Sequence, residues 1–277
     1  MNWMKKVAVA LVCLLPLGLQ AAKIDTLQVK SPSMNKSIEV VVVSPDVAAT
    51  KACPVIYLLH GYGGNACTWV GIKPDLPKIA DEKGIFFVCP DGKNTWYWDS
   101  PLNADVRYET FISNELVKYV DSHYKTVADR KGRAITGLSM GGHGAMWNGL
   151  RHSDVFSAAG STSGGVDIRP FPKNWEMSVQ IGEKAKYPEN WEKYTVINLV
   201  PTLRKDQIAL IFDCGDSDFF LEVNKNYHEA LLKQGIDHDF ITRPGSHDSQ
   251  YWNNPLFLEA FLEDEGLVIR PFGDLTF

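Results

Sequence analysis

The chain has 277 residues, of which 45% are apolar, and 33 acidic residues outnumber 28 basic ones, so the formal charge is −5. A negative balance argues against nucleic-acid binding, which depends on basic surfaces that attract phosphates. The length suits one large α/β domain with a substantial core, and we expect no second domain.

The N-terminus has the pattern of a secretory signal peptide. Two lysines precede an apolar segment at residues 7–19, and small residues suited to cleavage follow at Ala21 and Ala22. A membrane anchor needs about 20 apolar residues, and this segment is shorter and contains a proline and a glycine. We therefore expect an exported protein, secreted or periplasmic, in which residues 1–22 are removed and residues 23–277 form a single domain without a membrane span.

Four cysteines remain after this cleavage, and export to an oxidising compartment would allow them to pair. None of them has C-x-x-C spacing, which argues against a zinc site, and we predict no metal and no cofactor. The sequence leaves their pairing open, including a disulfide from Cys53 to one of the others. The four are Cys53, Cys67, Cys89 and Cys214.

Several segments have the composition of β-strands. Residues 24–29 and 38–43 partly alternate in polarity, which is typical of an antiparallel pair at a sheet edge. Other runs are almost continuously apolar, as in strands buried on both faces of a parallel sheet. These runs lie at residues 54–59, 84–88, 134–136 and 207–212.

Segments with helical spacing separate these runs, so strands and helices alternate as in a doubly wound α/β domain. Residues 164–205 interrupt the alternation with several aromatic residues and with prolines that include Pro170, Pro172 and Pro188. Because long irregular segments in compact domains are often binding loops, we predict a lid-like insertion over the active site there. The predicted helices lie at residues 76–83, 110–124, 143–150, 219–234 and 255–265.

The sequence Gly-Leu-Ser-Met-Gly at residues 137–141 has the G-x-S-x-G pattern of a nucleophile elbow. Glycines flank the serine because a Cβ atom at either place would clash in so tight a strand-to-helix turn. The pattern arises by chance in about one chain of this composition in ten. Its position at the end of an apolar strand supports the interpretation of Ser139 as a nucleophile.

A serine nucleophile needs a base that takes its proton and an acid that orients the base. His247 follows a predicted strand at residues 239–242, near the C-terminus, where the order Ser, acid, His places the base. Asp213, Asp216 and Asp218 all lie at or beyond the end of the strand before it. The pattern alone does not choose among these three acids.

Two segments offer backbone N–H groups for an oxyanion hole. The N–H of Met140 lies at the start of the helix after the elbow, and a second donor is expected from LLHGYGG at residues 58–64, with Tyr62 as the best candidate. A phosphate-binding loop is excluded because no Lys-Ser/Thr pair follows these glycines.

Four motifs together resemble one family. LLHGYGG, GLSMGGHGA, CGDSDFF and GSHDSQYW are similar to the esterase D group of α/β-hydrolases, which includes S-formylglutathione hydrolases, tributyrin esterases, mycolyltransferases and the feruloyl and acetylxylan esterases of carbohydrate esterase family 1. The resemblance implies an α/β-hydrolase fold, a mostly parallel sheet flanked by helices on both faces. It also implies Asp218 as the acid, His247 as the base and Tyr62 as an oxyanion donor.

Aromatic residues near the sheet's carboxyl edge are candidates for substrate binding. Trp96, Tyr97 and Trp98 lie in a segment that resembles exported gut-bacterial esterases, and they would either bound an acyl pocket, stack on a sugar or pack in the core. Trp69 and Trp252 are further candidates for the pocket wall, although a structural role is the alternative for each.

These observations predict an exported serine carboxylesterase that works through an acyl-enzyme and binds a small-molecule or polysaccharide-linked ester. The leader argues against a cytosolic role on glutathione thioesters and favours feruloyl or acetyl esters of plant polysaccharides. Alternatives are an S-formylglutathione hydrolase-like thioesterase, a sugar acyltransferase and, outside enzymes, an inactive carbohydrate-binding homologue.

Overall fold

The computed structural model describes residues 22–254 together with Leu258, Phe261 and Leu262. The predicted signal peptide lies outside the described residues except for Ala22, and so does most of the helix predicted at residues 255–265. Among the described residues, no helix is long and apolar enough to span a membrane.

The described residues form an eight-stranded sheet in the order β1-β2-β4-β3-β5-β6-β7-β8. β1 pairs antiparallel with β2, and β2 pairs antiparallel with β4, while all later pairs are parallel. The predicted antiparallel edge and parallel interior are therefore confirmed. The strands are β1 (Lys23–Ser31), β2 (Lys36–Ser44), β3 (Val55–Leu59), β4 (Phe86–Pro90), β5 (Arg133–Gly137), β6 (Ala158–Thr162), β7 (Ala209–Gly215) and β8 (Asp239–Arg243).

Helices connect the strands, and a π-helical segment, Phe111–Glu115, lies between two α-helices, Tyr108–Thr110 and Leu116–His123. Three 3₁₀ segments, Asp46–Ala49, Arg130–Gly132 and Val196–Thr202, complete the connections. In the described residues, the α-helices are α1 (Thr68–Ile72), α2 (Leu76–Lys83), α3 (Tyr108–Thr110), α4 (Leu116–His123), α5 (Met140–Arg151), α6 (Met177–Ile181), α7 (Pro188–Lys193), α8 (Leu221–Gln234) and α9 (Ser249–Trp252).

The core lies on both faces of the sheet. Val55, Tyr57 and Leu59 of β3 pack in one apolar cluster with residues of α4, α5 and α8. Ile56 and Leu58 pack in a second cluster with residues of α1 and α2. Because successive side chains of a strand point to opposite faces, the two clusters are the two faces of the sheet. Helices flank both faces, as predicted.

The strand β6 was not among the predicted strands, because its residues Ala-Ala-Gly-Ser-Thr include no large apolar side chain. Its small side chains let α5 lie close to the sheet. A Cβ atom added to Gly149 of α5 would lie 2.5 Å from the Cβ of Ala159, and one added to Gly142 would lie 2.5 Å from the Oγ of Ser161. The small residues of β6 therefore allow α5, the helix after Ser139, to pack closely on the sheet.

The segment at residues 164–205, predicted as a lid, folds into α6, α7 and the third 3₁₀ segment. Its Trp191 is buried and donates from Nε1 to the carbonyl of Gly182 at 2.8 Å, and Ile197 N–H donates to Val166 O at 3.0 Å. Val166, Trp191 and Val196 of the segment belong to the apolar cluster on one face of the sheet, so the segment packs on the core, and its action as a lid stays a prediction. The four cysteines of the described residues are free thiols, so the open pairing with Cys53 is not formed among them.

Candidate active site

Ser139 occupies a strained turn between β5 and α5. Its backbone has φ 54° and ψ −117°, an unfavourable conformation for a residue with a side chain. A Cβ atom on Gly137 would lie 2.3 Å from the carbonyl oxygen of Gly141, and one on Gly141 would lie 2.1 Å from that of Leu59. The two glycines of the motif therefore allow the turn, and Ser139 N–H is held by Thr162 O at 2.9 Å.

A chain of two hydrogen bonds leads from Ser139 to the acidic loop. The Nε2 atom of His247 lies 2.8 Å from Ser139 Oγ, and its Nδ1 lies 2.8 Å from Asp218 Oδ2. His247 follows β8, and Asp218 follows β7, so both come from loops at the carboxyl edge of parallel strands. The structure brings together the three side chains that the sequence nominated. With a carboxylate on Nδ1, the imidazole can present its Nε2 lone pair to the serine hydroxyl.

The structure separates the three candidate acids by their partners. The Asp218 side chain is fully buried, and its other oxygen, Oδ1, accepts the Phe220 N–H at 2.8 Å. Asp213 accepts hydrogen bonds from the Arg243 guanidinium at 2.9 Å and the Tyr251 hydroxyl at 3.0 Å, both on Oδ2. Asp216 is exposed and accepts the Gly245 N–H. Among the three, Asp218 contacts His247.

The two predicted oxyanion donors lie beside Ser139. Met140 is the first residue of α5, so its N–H has no partner within the helix. Gly61 packs against the nucleophile, since a Cβ on it would lie 3.3 Å from Ser139 Cβ, and Tyr62 follows directly. Among the hydrogen bonds of the described residues, none uses the Tyr62 N–H.

The orientation of the Tyr62 N–H is set by His60, a role that the sequence did not suggest. Gly92 N–H donates to His60 Nε2 at 2.9 Å, so Nδ1 carries the ring proton and donates to the Gly61 carbonyl at 2.7 Å. That carbonyl and the Tyr62 N–H belong to one trans peptide and point in opposite directions. His60 is buried, and its neighbour Asp91 has a carboxyl pKa held below its usual range, against the cost of burial, by hydrogen bonds from the Lys93 ammonium and backbone N–H.

Ser139 opens into a cleft of about 320 Å³ with largely apolar walls. Phe219 is 51% exposed, lies 4.2 Å from the His247 ring and stacks on Trp175 at 5.5 Å. Sequence reasoning missed both residues, although Phe219 follows the acid directly. The cleft is lined by Gly61, Tyr62, Gly64, Thr68, Ile72, Leu138, Ser139, Trp175, Phe219, His247 and Trp252.

Of the five aromatic candidates for substrate binding, the structure places Trp252 at the cleft and the other four in the interior, the packing alternative that the sequence left open. Trp96, Tyr97 and Trp98 are at most 1% exposed and do not line the cleft. The polar atom of each ring donates a hydrogen bond to a group in the protein interior. Trp69 is also buried, with Nε1 donating to Leu59 O at 2.9 Å. Trp252 lines the cleft and meets the His247 ring edge-on at 5.0 Å.

The buried aromatic run holds internal groups in place. Trp98 Nε1 donates to His143 Nε2 at 2.9 Å, and the His143 Nδ1–H donates to Gly165 O at the same distance. Burial lowers the pKa of His143 to about 4, so this ring is neutral. Among the described residues, no group of three or more His, Cys, Asp or Glu side chains could hold a metal ion.

Comparison with known proteins places this site in a family. Residues 31–261 match the model of the Esterase family. An acetyl esterase of Caldicellulosiruptor saccharolyticus is 27% identical over 216 residues, which cover 72% of this chain and 78% of that protein. The S-formylglutathione hydrolase of Mus musculus is 22% identical, over 79% of this chain and 83% of its own.

Solved structures give the same assignment. A ferulic acid esterase is 30% identical and superposes with a TM-score of 0.72, over 86% of this chain and 96% of its own. The serine hydrolase FphF of Staphylococcus aureus has a TM-score of 0.76 at 20% identity, over 86% of this chain and 97% of its own, which supports the fold. The chain therefore belongs to the Esterase family: it has the α/β-hydrolase fold and is a carboxylic ester hydrolase.

Proposed function

We propose that the protein is an exported serine esterase that forms an acyl-enzyme at Ser139. The observation that supports this most directly is the hydrogen-bonded chain from Ser139 Oγ through His247 to the buried Asp218, with 2.8 Å at each step. A base within hydrogen-bond reach of a serine and oriented by a third group is the arrangement that activates a hydroxyl nucleophile.

In the proposed reaction, Ser139 Oγ attacks the ester carbonyl carbon while its proton passes to His247 Nε2. Asp218 stabilises the imidazolium through Nδ1–H, and the N–H groups of Met140 and Tyr62 donate to the oxyanion. His247 then gives its proton to the leaving alcohol. A water molecule, deprotonated by His247, attacks the acyl-enzyme and releases a carboxylic acid and the free serine.

The cleft walls favour an aromatic acyl group. Phe219 and Trp175 form a stacked pair beside the nucleophile, and Trp252 contacts the His247 ring edge-on. Aromatic rings stack on such surfaces and bury large apolar areas. We therefore propose feruloyl-type esters of plant polysaccharides as substrates, in agreement with the ferulic acid esterase among the similar structures.

A substrate panel tests this proposal. The purified mature protein is given p-nitrophenyl acetate, methyl ferulate, feruloylated and acetylated xylan, and S-formylglutathione, with Ser139→Ala as the inactive variant. Ser157→Ala is the matched control, since this serine precedes β6 and its Oγ bonds Arg133 O at 3.0 Å, away from the cleft. We expect the wild type and Ser157→Ala to hydrolyse methyl ferulate, and Ser139→Ala not to hydrolyse it.

Each other outcome has a defined meaning. Retained turnover in Ser139→Ala refutes the proposed nucleophile. A preference for acetylated xylan or S-formylglutathione over methyl ferulate refutes the aromatic acyl group. Acyl transfer to added alcohol or trehalose in competition with water would identify a transferase, and no turnover of any ester would leave a binding protein.

Export rests on the leader sequence. It predicts that the protein recovered outside the cytoplasm begins near residue 22 or 23, as N-terminal sequencing would establish. Recovery of the uncleaved chain from the cytoplasm would refute this part of the proposal.

A further inference from the structure

Residues 92–97 lie against the segment that carries the Tyr62 N–H. Tyr97 OH donates to the His60 carbonyl at 3.0 Å, and Gly92 N–H donates to the His60 ring at 2.9 Å. A third hydrogen bond lies next to Tyr62 in the chain: the Gly63 N–H donates to Asn94 Oδ1 at 2.9 Å. The loop after β4 therefore supports the loop after β3 from His60 to Gly63.

The support continues through Asn94 to Glu176. Its amide uses both ends: Oδ1 accepts from Gly63, and Nδ2 donates to Glu176 Oε2 at 3.1 Å. The Glu176 carboxylate also contacts the Tyr62 phenol, whose pKa is raised by burial and by the Glu176 charge. One side chain thus links residues 60–64, the oxyanion loop, to the segment at residues 164–205.

The anchor at the far end is itself held in place. Trp175 and Glu176 both have left-handed backbones, with φ 48° and 53°, an unfavourable conformation for two successive residues with side chains. Trp96 Nε1 donates to the Trp175 carbonyl at 3.1 Å, and the Trp175 ring packs on Phe220 at 5.2 Å. These contacts keep the Glu176 carboxylate where Asn94 reaches it.

The oxyanion loop needs such a support because it has little of its own. Gly63 has φ 75°, and nothing lies within 4 Å of where its Cβ would be, so packing does not hold it. Within the loop, Gly64 N–H donates to Gly61 O at 3.0 Å. A glycine-rich turn has a large conformational freedom to lose on ordering, and oxyanion donors act only when they are already in position.

We propose that Asn94 is a positioning residue of the oxyanion hole: by bonding the Gly63 N–H and Glu176 together, it holds the preceding Tyr62 N–H at the reaction centre. This inference rests on the proposed function of Tyr62 as a donor. Asn94 does not line the cleft, so the inferred effect is on the transition state and not on substrate contact.

Asn94→Ala tests the inference. Because misplacement of a catalytic group by about 1 Å costs up to about 100-fold in rate, we expect kcat to fall by about 10- to 100-fold with KM changed less than about threefold. The affinity for a phenylboronic acid, whose tetrahedral adduct with Ser139 carries an oxygen in the oxyanion position, should fall in parallel. Inhibition by the trigonal product acid should be unchanged.

Two comparisons sharpen the test. Asn103→Ala removes an exposed asparagine that bonds one backbone N–H, that of Asp105, and it should retain wild-type kcat. Glu176→Gln keeps an oxygen acceptor for Asn94 Nδ2 and should retain most of the rate, whereas Glu176→Ala should lose part of it. Equal losses in the two Glu176 variants would show that the charge, and not the bond to Asn94, is what matters, which contradicts the inference.

Amide hydrogen exchange of the resting protein provides a readout that needs no turnover. Asn94→Ala should speed exchange in peptides that span residues 60–66, with no change in peptides of β5. Unchanged exchange, or a kcat loss without a loss of boronate affinity, overturns the positioning role. If the wild type hydrolyses no ester, the proposed function fails, and the exchange result still decides whether Asn94 orders this loop.

Discussion

The substitution Asp218→Asn tests whether Asp218 orients the His247 ring. The two oxygens of Asp218 have different duties, because Oδ1 accepts the Phe220 N–H at 2.8 Å and Oδ2 accepts from His247 Nδ1 at 2.8 Å. An asparagine has one oxygen. If that oxygen keeps the Phe220 N–H, the amide NH₂ faces His247 and donates to Nδ1. The ring proton then moves to Nε2, which points an N–H at Ser139 and cannot accept its proton.

The alternative orientation of the asparagine does not avoid the loss. Placing its oxygen on His247 would aim the NH₂ group at the Phe220 N–H, so two donors would face each other in a fully buried position. We therefore expect kcat to fall by about 10³- to 10⁴-fold, as when the orienting carboxylate of a serine hydrolase becomes an amide. KM should change little, since neither oxygen of Asp218 faces the cleft.

The assay is steady-state hydrolysis of p-nitrophenyl acetate, with circular dichroism to establish that the variant folds. Asp216→Asn is the matched control, because Asp216 is two residues away, exposed, and bonded to the Gly245 N–H. It should remain within about threefold of the wild type, as is usual for exposed positions. A larger loss in Asp216→Asn than in Asp218→Asn would refute the assignment of the acid.

Three further predictions concern the surroundings of the site. Burial holds the pKa of His143 at about 4 against 6.5, so between these values the unfolded chain binds a proton at this ring that the folded chain does not, and His143 alone lowers the stability by about 3 kcal/mol as pH drops from 6.5 to 4. Urea unfolding at several pH values should show a weaker pH dependence in His143→Gln, and an identical dependence would contradict this. Gly141→Ala places a Cβ 2.1 Å from Leu59 O and should lower stability by about 1–3 kcal/mol in thermal unfolding, whereas Gly71→Ala, with nothing within 4 Å, should not destabilise; equal unfolding temperatures would rule out the close approach. Phe219→Ala should lower kcat/KM for methyl ferulate about three- to tenfold more than for p-nitrophenyl acetate, and equal losses would exclude stacking on this ring.

Much of the fold was predictable because its strands are buried on both faces, so long apolar runs mark them in the sequence. The strand β6 escaped for the opposite reason: packing against the glycines of α5 requires small side chains there, and small residues do not distinguish a strand from a loop. The elbow was predictable because Gly137 and Gly141 lie so close to neighbouring backbone atoms that a residue with a Cβ atom would not fit at either position.

The sequence narrowed the acid to three candidates, Asp213 in the last part of β7 and Asp216 and Asp218 just beyond it, and the resemblance to a family selected Asp218. The physical basis of that selection is tertiary. Asp213 is already bonded to Arg243 and Tyr251, residues that are 30 and 38 positions away in the chain, and this pairing is invisible in a local pattern. Asp216 is turned to a backbone N–H of the neighbouring loop.

The aromatic residues show why composition alone does not identify the side chains that contact a substrate. Trp96, Tyr97 and Trp98 occur at the carboxyl edge of the sheet, where ligands bind, yet their ring N–H and O–H groups donate to the Trp175 carbonyl, the His60 carbonyl and the His143 ring. Two of these acceptors belong to segments that border the cleft, the oxyanion loop and the strained pair at residues 175–176. A run of aromatic side chains at an active-site edge therefore has two physical uses that look alike in sequence, contact with the substrate and support of the backbone that does contact it. The polar atom of each ring decides between them: where it has a partner in the interior, as in all three here, the residue supports the backbone behind the site, and the cleft is lined by other rings, among them Phe219, Trp175 and Trp252.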